Sequence, residues 1–407
     1  HGDAALRTRI VNAGKRRAED MYTWSNHVEG LLSVCRQTID RDKFLILINA
    51  LHARSGGGVT YLRNMLPLLA QDDQLDVHVC LHEDQRDILP STLPDVHYHF
   101  QKYTRGFWRV LMREQVDIPL LARHLGANAT FSPANYGPFL TRNHFVLVRN
   151  AISVGFVERR PIKLAYWMLL YLATLTSLLT SKRAIAVSEY AKRGIEGAYW
   201  KLSTTPLIVV PHGVDEYFLD PHENTSRELF LLAVSDIYVQ KNILGLLRAI
   251  IELRRKFPEI RLKIAGRPVD LEYFEVLKRL IAEADLSSNV EFLGHVETDE
   301  LRELYRTCGV FVFPSTVETF GNPLVEAMAC GAPIASSNSA AMPEVLGDAA
   351  EFFDPNDVDD MCATISGLIS DQDQRERLSA AARDRAARYS WQETKRQTLE
   401  VIMGKTG

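Results

Sequence analysis

The sequence predicts an α/β protein of two successive units, each a parallel sheet covered by helices on both faces, behind a helical extension. Three observations predict it. From residue 43 onward, short apolar runs of strand length alternate with amphipathic helical stretches, the pattern of strands buried on both faces. A turn at Pro211-His-Gly-Val-Asp215 and a polar stretch over 221–227 divide the series in two. The length of 407 residues also exceeds what a single core usually organises.

The first unit opens on the apolar run Lys43–Asn49. The loop His52-Ala-Arg-Ser-Gly56-Gly57-Gly58 and a helical pattern from Val59 to Ala70 follow it. Strand, glycine-rich loop and helix let backbone approach a phosphate. The spacing is not that of a dinucleotide fingerprint, and three glycines alone are a weak signal. Further strands are expected at Asp76–Leu81, Ala129–Phe131, Phe145–Val148, Ala184–Val187 and Leu207–Val210. The second unit reads as strand Leu229–Val234, helix Leu244–Phe257, strand Arg261–Ala265 and helix Glu272–Ala284, then strand Val290–Leu293 and helix Asp299–Thr307.

At its end lies Val310-Phe-Val-Phe-Pro314, a buried strand, and then Glu318-Thr-Phe-Gly-Asn-Pro-Leu-Val-Glu326. Asn322 is a good N-cap and Pro323 suits the first helical position, with Gly331 and Pro333 closing a short helix. A strand, a tight turn and a helix start form an anion site, because several backbone N–H groups point out unpaired. Two carboxylates beside such a site suit a ligand that carries both hydroxyls and phosphate. The spacing alone fits equally a loop Glu and a helix Glu with no ligand.

Composition narrows the class. Hydrophobic content of 46% and charged content of 24% are those of a globular protein. The net charge of −4 counts against a nucleic-acid partner. Five cysteines (Cys35, Cys80, Cys308, Cys330, Cys362) stand apart without metal or disulfide spacing, which points to reduced thiols in a cytoplasmic protein. No signal peptide is visible at His1-Gly-Asp-Ala-Ala-Leu-Arg. The uncharged run Leu164–Thr180 has basic flanks. It is expected to be a buried or groove-lining helix, with a monotopic membrane contact as the alternative and a spanning helix disfavoured.

Residues 4–35 read as two helices broken at Tyr22-Thr23-Trp24, as the far end is broken at Tyr389-Ser390-Trp391. Laying Tyr22 on Tyr389 pairs Ala13 with Ala380, Arg16 with Arg383, Trp24 with Trp391 and Leu32 with Leu399. Residues 1–40 are therefore expected to be the tail of a preceding, related domain. The divisions expected after them are 43–212, 213–388 and a C-terminal helix over 389–407 that packs back on the first unit.

Val209-Val-Pro-His-Gly-Val-Asp215, Gln240-Lys241-Asn242, Phe292-Leu-Gly-His-Val296 and Val310-Phe-Val-Phe-Pro-Ser315 occur in that order. Glu318-x7-Glu326, its continuation Glu-Ala-Met-Ala-Cys-Gly-Ala-Pro333, and Pro343-Glu344-Val345 follow. Together they resemble the family-4 retaining glycosyltransferases, whose GT-B architecture is two facing Rossmann-like domains. The resemblance runs from about residue 43 to the end. It implies that Glu318 accepts hydrogen bonds from the donor sugar, that Glu326 takes the ribose diol, and that Lys241 neutralises the diphosphate. The amides of Phe320, Gly321, Asn322, Pro323 and Leu324 would cradle that group, with Gly57 and Gly58 closing over it and His295 and Val296 flanking the base. The implied reaction is a same-face displacement, in which the leaving phosphate helps to deprotonate the acceptor hydroxyl.

Two departures stand out. Ser235 occupies a position where many members carry Arg, which shifts phosphate neutralisation to Lys241, amides and Arg267. Arg149-Asn150 stands where a first-domain His is common. The expected activity is that of a hexosyltransferase using a nucleotide sugar, GDP-mannose ahead of a UDP-sugar. Its acceptor would be a surface polysaccharide or glycolipid, at or near the inner face of the cytoplasmic membrane. A non-catalytic binding module of a tandem polymerase is the alternative. No metal is expected: Asp357-Val-Asp359 reads as loop, and His82, His97 and His99 as strand or loop histidines.

Overall fold

The computed structural model describes residues 9, 11–15, 43–54, 56–88, 93–104, 106–149, 161–199, 204–219 and 227–404. Residues 9 and 11–15 are helical. The remainder of the proposed repeat over 1–40 lies outside the described residues, as do Ser55 and Asn150.

The first sheet holds seven parallel strands in the order β3-β2-β1-β4-β5-β6-β7. They are β1 (Phe44–Asn49), β2 (Leu75–His82), β3 (Val96–Gln101), β4 (Ala129–Ser132), β5 (His144–Val148), β6 (Arg183–Ala186) and β7 (Leu207–Val209). Among the described residues four helices accompany it: α1 (Gly57–Ala70), α2 (Phe107–Leu125), α3 (Pro161–Thr180) and α4 (Glu189–Tyr199). A short α5 (Glu216–Leu219) leads into the second sheet, which is also all parallel, in the order β10-β9-β8-β11-β12-β13. Its strands are β8 (Glu228–Val234), β9 (Arg261–Ala265), β10 (Val290–Gly294), β11 (Cys308–Phe313), β12 (Ile334–Ser337) and β13 (Glu351–Phe353). Its helices are α6 (Ile243–Lys256), α7 (Leu271–Glu283), α8 (Thr298–Thr307), α9 (Asn322–Ala329), α10 (Met342–Leu346), α11 (Val358–Ser370) and α12 (Gln372–Ala386). The final helix is α13 (Trp391–Met403).

Local chemistry accounts for most boundaries. In α6, Ile243, Leu246, Leu247, Ile250 and Leu253 are buried at helical spacing, and Arg254, Arg255 and Lys256 sit at the negative end of its dipole. The Asp270 side chain caps α7 by accepting from the Tyr273 amide, and Asp357 caps α11 by accepting from the Asp359 and Asp360 amides. The Asp357/Asp359 pair is thus a helix start, where the sequence reads as a loop. Strands β3, β12 and β13 lie outside the expected set. β12 and β13 are short, and β3 alternates histidines with aromatics where a continuous apolar run was sought.

The two sheets meet along the carboxyl ends of their strands. The Ser188 hydroxyl donates to the Thr319 carbonyl, and the Thr319 hydroxyl donates to the Arg149 carbonyl. Both oxygens of Glu344 accept from backbone amides at the start of α4, Glu189 N at 2.7 Å and Tyr190 N at 2.9 Å. Helix α13 returns to the first sheet's side. Lys395 pairs with Asp72 at 2.8 Å, and Thr394 donates to the Pro211 carbonyl at 2.8 Å. Gly213 permits this crossing, since a Cβ there would stand 2.2 Å from the Trp391 nitrogen.

Candidate functional site

Ligand sites in such sheets form outside the carboxyl ends of the strands, and the sequence-predicted residues lie on those loops. Ser235 follows β8, Arg267 follows β9, His295 and Val296 follow β10, and Glu318 follows β11. Lys241 closes a short 3-10 turn over Val239–Lys241, and its ammonium meets the Glu318 carboxylate directly. The Gln240 carbonyl receives the Thr316 amide at 2.9 Å. That bond ties the lysine turn to the loop carrying Glu318, so residues 77 positions apart share one wall.

The start of α9 differs in one detail from the expected cap. Gly321, not Asn322, is the N-cap, with φ of 88°; only a glycine adopts that angle without strain. Asn322 is the first helical residue, and its side-chain oxygen lies 3.3 Å from His212 Nδ1. The Leu324 amide is spent on the Gly321 carbonyl at 2.9 Å, and Pro323 has no N–H to offer. Of the five residues whose amides were expected to meet an anion, Leu324 and Pro323 therefore have no N–H to give, which leaves Phe320, Gly321 and Asn322. The Phe320 and Leu324 side chains belong to the core.

Facing this helix start is α1, and Arg149 stands between the two. A Cβ on Gly57 would meet Arg149 Nη1 at 3.6 Å and Asn322 Nδ2 at 3.7 Å, and one on Gly58 would meet Arg149 Nη2 at 2.9 Å. Glycines there leave room for the guanidinium. Its Nε has no hydrogen-bond partner, and among the described residues no carboxylate pairs with it. Burial pushes the guanidinium down to about 10, with Tyr61 opposing the shift. The same burial, reinforced by Arg149, holds the His212 imidazole down at about 3 and neutral. Arg267, by contrast, is engaged by Asp236, side chain to side chain at 3.1 Å and through its amide at 3.0 Å. The cation between the helix starts is thus Arg149, not Arg267.

Glu326 lies one turn into α9, and its Oε2 accepts from the Tyr305 hydroxyl at 3.1 Å. Burial raises this carboxyl to about 7; the Tyr305 bond works against the rise and Asp215 adds to it. His295 is exposed with Glu297 at 3.6 Å, whereas Val296 packs against the core.

On the first sheet's side is a cluster that sequence reasoning missed. Glu114 of α2 is fully buried, and its Oε1 receives Asn49 Nδ2 at 2.5 Å and lies 3.0 Å from His52 Nε2. Tyr136 OH lies 3.5 Å from His52 Nδ1. His52 sits in the loop the sequence singled out for its glycines, but 62 residues separate it from Glu114, and no local period links them. His82, His97 and His99 are strand residues, as expected; His82 bonds the Tyr103 carbonyl, while His97 and His99 lie beside His78.

Comparison with known proteins agrees with this architecture. Residues 216–385 match the family described as Glycosyl transferases group 1. O-antigen chain mannosyltransferase B of Escherichia coli is 36% identical over 176 residues, which are 42% of this chain and 45% of that protein. The chain thus spans about half the length of this curated relative. Sucrose-phosphate synthase from Thermosynechococcus elongatus superposes with a TM-score of 0.73 at 14% identity, over 89% of this chain and 99% of that one. The Anabaena protein HepE, solved in complex with UDP-glucose, gives 0.68 at 14% identity, over 88% and 99%. Residues 216–385 are thus similar to glycosyl transferases group 1 domains, within a chain that has the two-sheet GT-B fold of these structures.

Proposed function

We propose that the chain is a retaining hexosyltransferase that moves mannose from a nucleotide sugar, GDP-mannose in preference to a UDP-sugar, to a hydroxyl of a growing surface polysaccharide or glycolipid. One observation carries this reading: the Arg149 guanidinium, unpaired with any described carboxylate, stands where the starts of α1 and α9 converge. Two helix N-termini and a fixed cation favour a multiply charged anion, and Glu318, Lys241 and Glu326 lie on the adjoining loops. The mannosyltransferase relative and the group 1 domain support a sugar donor.

In this reading the diphosphate takes over Lys241 from Glu318, which frees that carboxylate for hydroxyls of the sugar. The bond from the anomeric carbon to the phosphate oxygen breaks as the acceptor oxygen bonds to the same face. The acceptor proton passes to the departing phosphate. The protein's main contribution is to stabilise the charge developing on that phosphate, through Arg149, Lys241 and the amides of Phe320–Asn322.

Contact with a membrane surface is part of the proposal. Trp108, Met112, Val116 and Leu120 repeat every four residues along α2 and are 64%, 63%, 50% and 57% exposed. Leu111 packs α2 against Leu170 and Ala173 of α3, whose Met168 and Leu172 are exposed as well. An apolar stripe flanked by Arg109 and Arg113 suits an interface containing anionic lipid. Among the described residues, no helix is long and apolar enough to cross a membrane.

The test is a panel of sugar nucleotides incubated with acceptor oligosaccharides, using Arg149→Ala, Lys241→Ala and Glu318→Ala as controls. Transfer by the parent chain that is lost in all three supports the assignment. Donor binding without turnover across the panel would show a non-catalytic module instead. Flotation with anionic vesicles, reduced by Trp108→Ser/Met112→Ser, tests the surface contact.

A further inference from the structure

In the amino-terminal halves of β2 and of the edge strand β3 beside it, opposite the cleft, chemistry of a different kind gathers. Asp76 and His78 are two residues apart on β2 and so project from one face of the sheet. Parallel pairing sets His97 of β3 level with His78, and His99 level with Cys80. Asp76 Oδ1 lies 3.2 Å from His78 Nε2 and 3.5 Å from His97 Nε2, and the three atoms all fall within 4.8 Å of one another. Four-coordinate zinc holds nitrogen and oxygen ligands at about 2.0–2.2 Å, which places adjacent ligand atoms about 3.3–3.5 Å apart. Both separations are near that edge length.

We propose that Asp76, His78 and His97 form a binding site for a divalent transition cation, with Zn(II) the best match. Two imidazoles and one carboxylate are a borderline-soft donor set that favours Zn, Co or Ni over Ca or Mg. Three protein ligands leave a fourth position for water. His97, with a side chain 63% exposed, keeps the site open to solvent, while His78 is buried at its floor.

His78 has the outer partner that metal-bound histidines characteristically have. Its Nδ1 lies 2.8 Å from His99 Nε2 and the rings stack with centroids 5.1 Å apart. A hydrogen bond there orients the His78 ring so that Nε2 faces Asp76 and His97. His99 is thus a positioning residue. Because β3 is the edge strand and pairs only with β2, a bound cation would join the two strands through their side chains as well as their backbones. Donor-site residues lie at the carboxyl ends of the strands, so the cation has no part in the transfer proposed above.

The competing arrangement is a hydrogen-bonded cluster in which Asp76 holds both imidazoles and no metal enters. Titration of the tag-free, metal-stripped chain with ZnCl2 by calorimetry separates the two. We expect saturable 1:1 binding, weakened at least ten-fold in His97→Ala and Asp76→Asn and about 10- to 100-fold in His99→Phe. His295→Ala, which removes an exposed imidazole from the other unit, leaves it unchanged. Far-UV circular dichroism checks that His97→Ala folds, and Co(II) absorption in the visible reads the geometry. No saturable binding near one equivalent, or binding equally tight in His97→Ala and Asp76→Asn, would overturn the proposal.

Discussion

Arg149 is a cation whose burial is not offset by any described carboxylate, so it raises the affinity for an anion at a cost to the unbound fold. Arg149→Ala is expected to weaken donor binding ten-fold or more and to lower kcat by about 100-fold, the scale on which loss of one transition-state donor is felt. Arg149→Lys keeps the charge but not the fork, and should recover only part of it. Steady-state rates and donor titrations measure both, and an Ala variant with parent kinetics would refute the assignment. Glu326 adds a pH dependence. Its carboxyl, raised to about 7 by burial, receives both hydroxyls of a diol only when ionised. Donor affinity should therefore fall as pH drops through about 7, and Glu326→Gln should bind weakly with that dependence flattened. For stability the sign is opposite. A raised carboxyl contributes fully below its ordinary value and loses that contribution as pH rises through about 7.

The turn between β11 and α9 and the start of α1 both depend on glycine, for different reasons that two substitutions separate. Gly321 has φ of 88°, and a Cβ would press on Leu324 Cδ1 at 2.9 Å. Gly321→Ala is expected to cost about 1–3 kcal/mol from backbone conformation, visible as a lower Tm. At Gly58 φ is not positive, and the added Cβ meets the Arg149 guanidinium at 2.9 Å, with backbone no nearer than the Ala53 Cα at an ordinary 3.5 Å. Gly58→Ala should thus leave Tm nearly unchanged while raising KM for the donor, because the guanidinium is displaced. If the two variants behaved alike, in Tm and in KM, the distinction between backbone strain and steric displacement would fail.

Across the whole molecule, Glu344 reaches from the second unit to receive two amides at the N-terminus of α4 in the first, where a carboxylate also meets the positive end of the helix dipole. Glu344→Ala should loosen the approach of the two sheets. Faster hydrogen exchange at the start of α4 and a higher donor KM are expected, and unchanged exchange there would contradict it. Two buried imidazoles govern the acid limb of stability. His144, between Ser132 at 3.0 Å and Ser181 at 3.1 Å, and His212 are both held down at about 3 by burial. The unfolded chain binds protons at these positions below about 6.5 while the folded chain does not. Stability should fall as pH decreases from about 6.5 towards 3, a direction in which burial of His78 and His99 also acts and which among the described carboxyls Glu326 opposes. Denaturant midpoints measured across that range test it.

The alternation of apolar runs and amphipathic helices was enough to place ten of the thirteen strands, because parallel strands buried on both faces write their burial directly into the sequence. The wall carrying Glu318 and Glu326 was legible for a similar reason: strand, turn and helix start are contiguous, and each step has its own residue signal. Only tertiary structure decided what opposes that wall. Arg149 lies against Gly58 and Thr319, Glu114 reaches His52, and His97 lies level with His78, because parallel strand order brings distant segments side by side. No local period encodes such neighbours, so a histidine or arginine in a loop looks alike whether or not it has partners. The sequence by itself therefore determined the two-sheet architecture and the carboxylate wall. The tertiary structure decided which cation faces that wall, which amides at the helix start are left to donate, and which histidines converge.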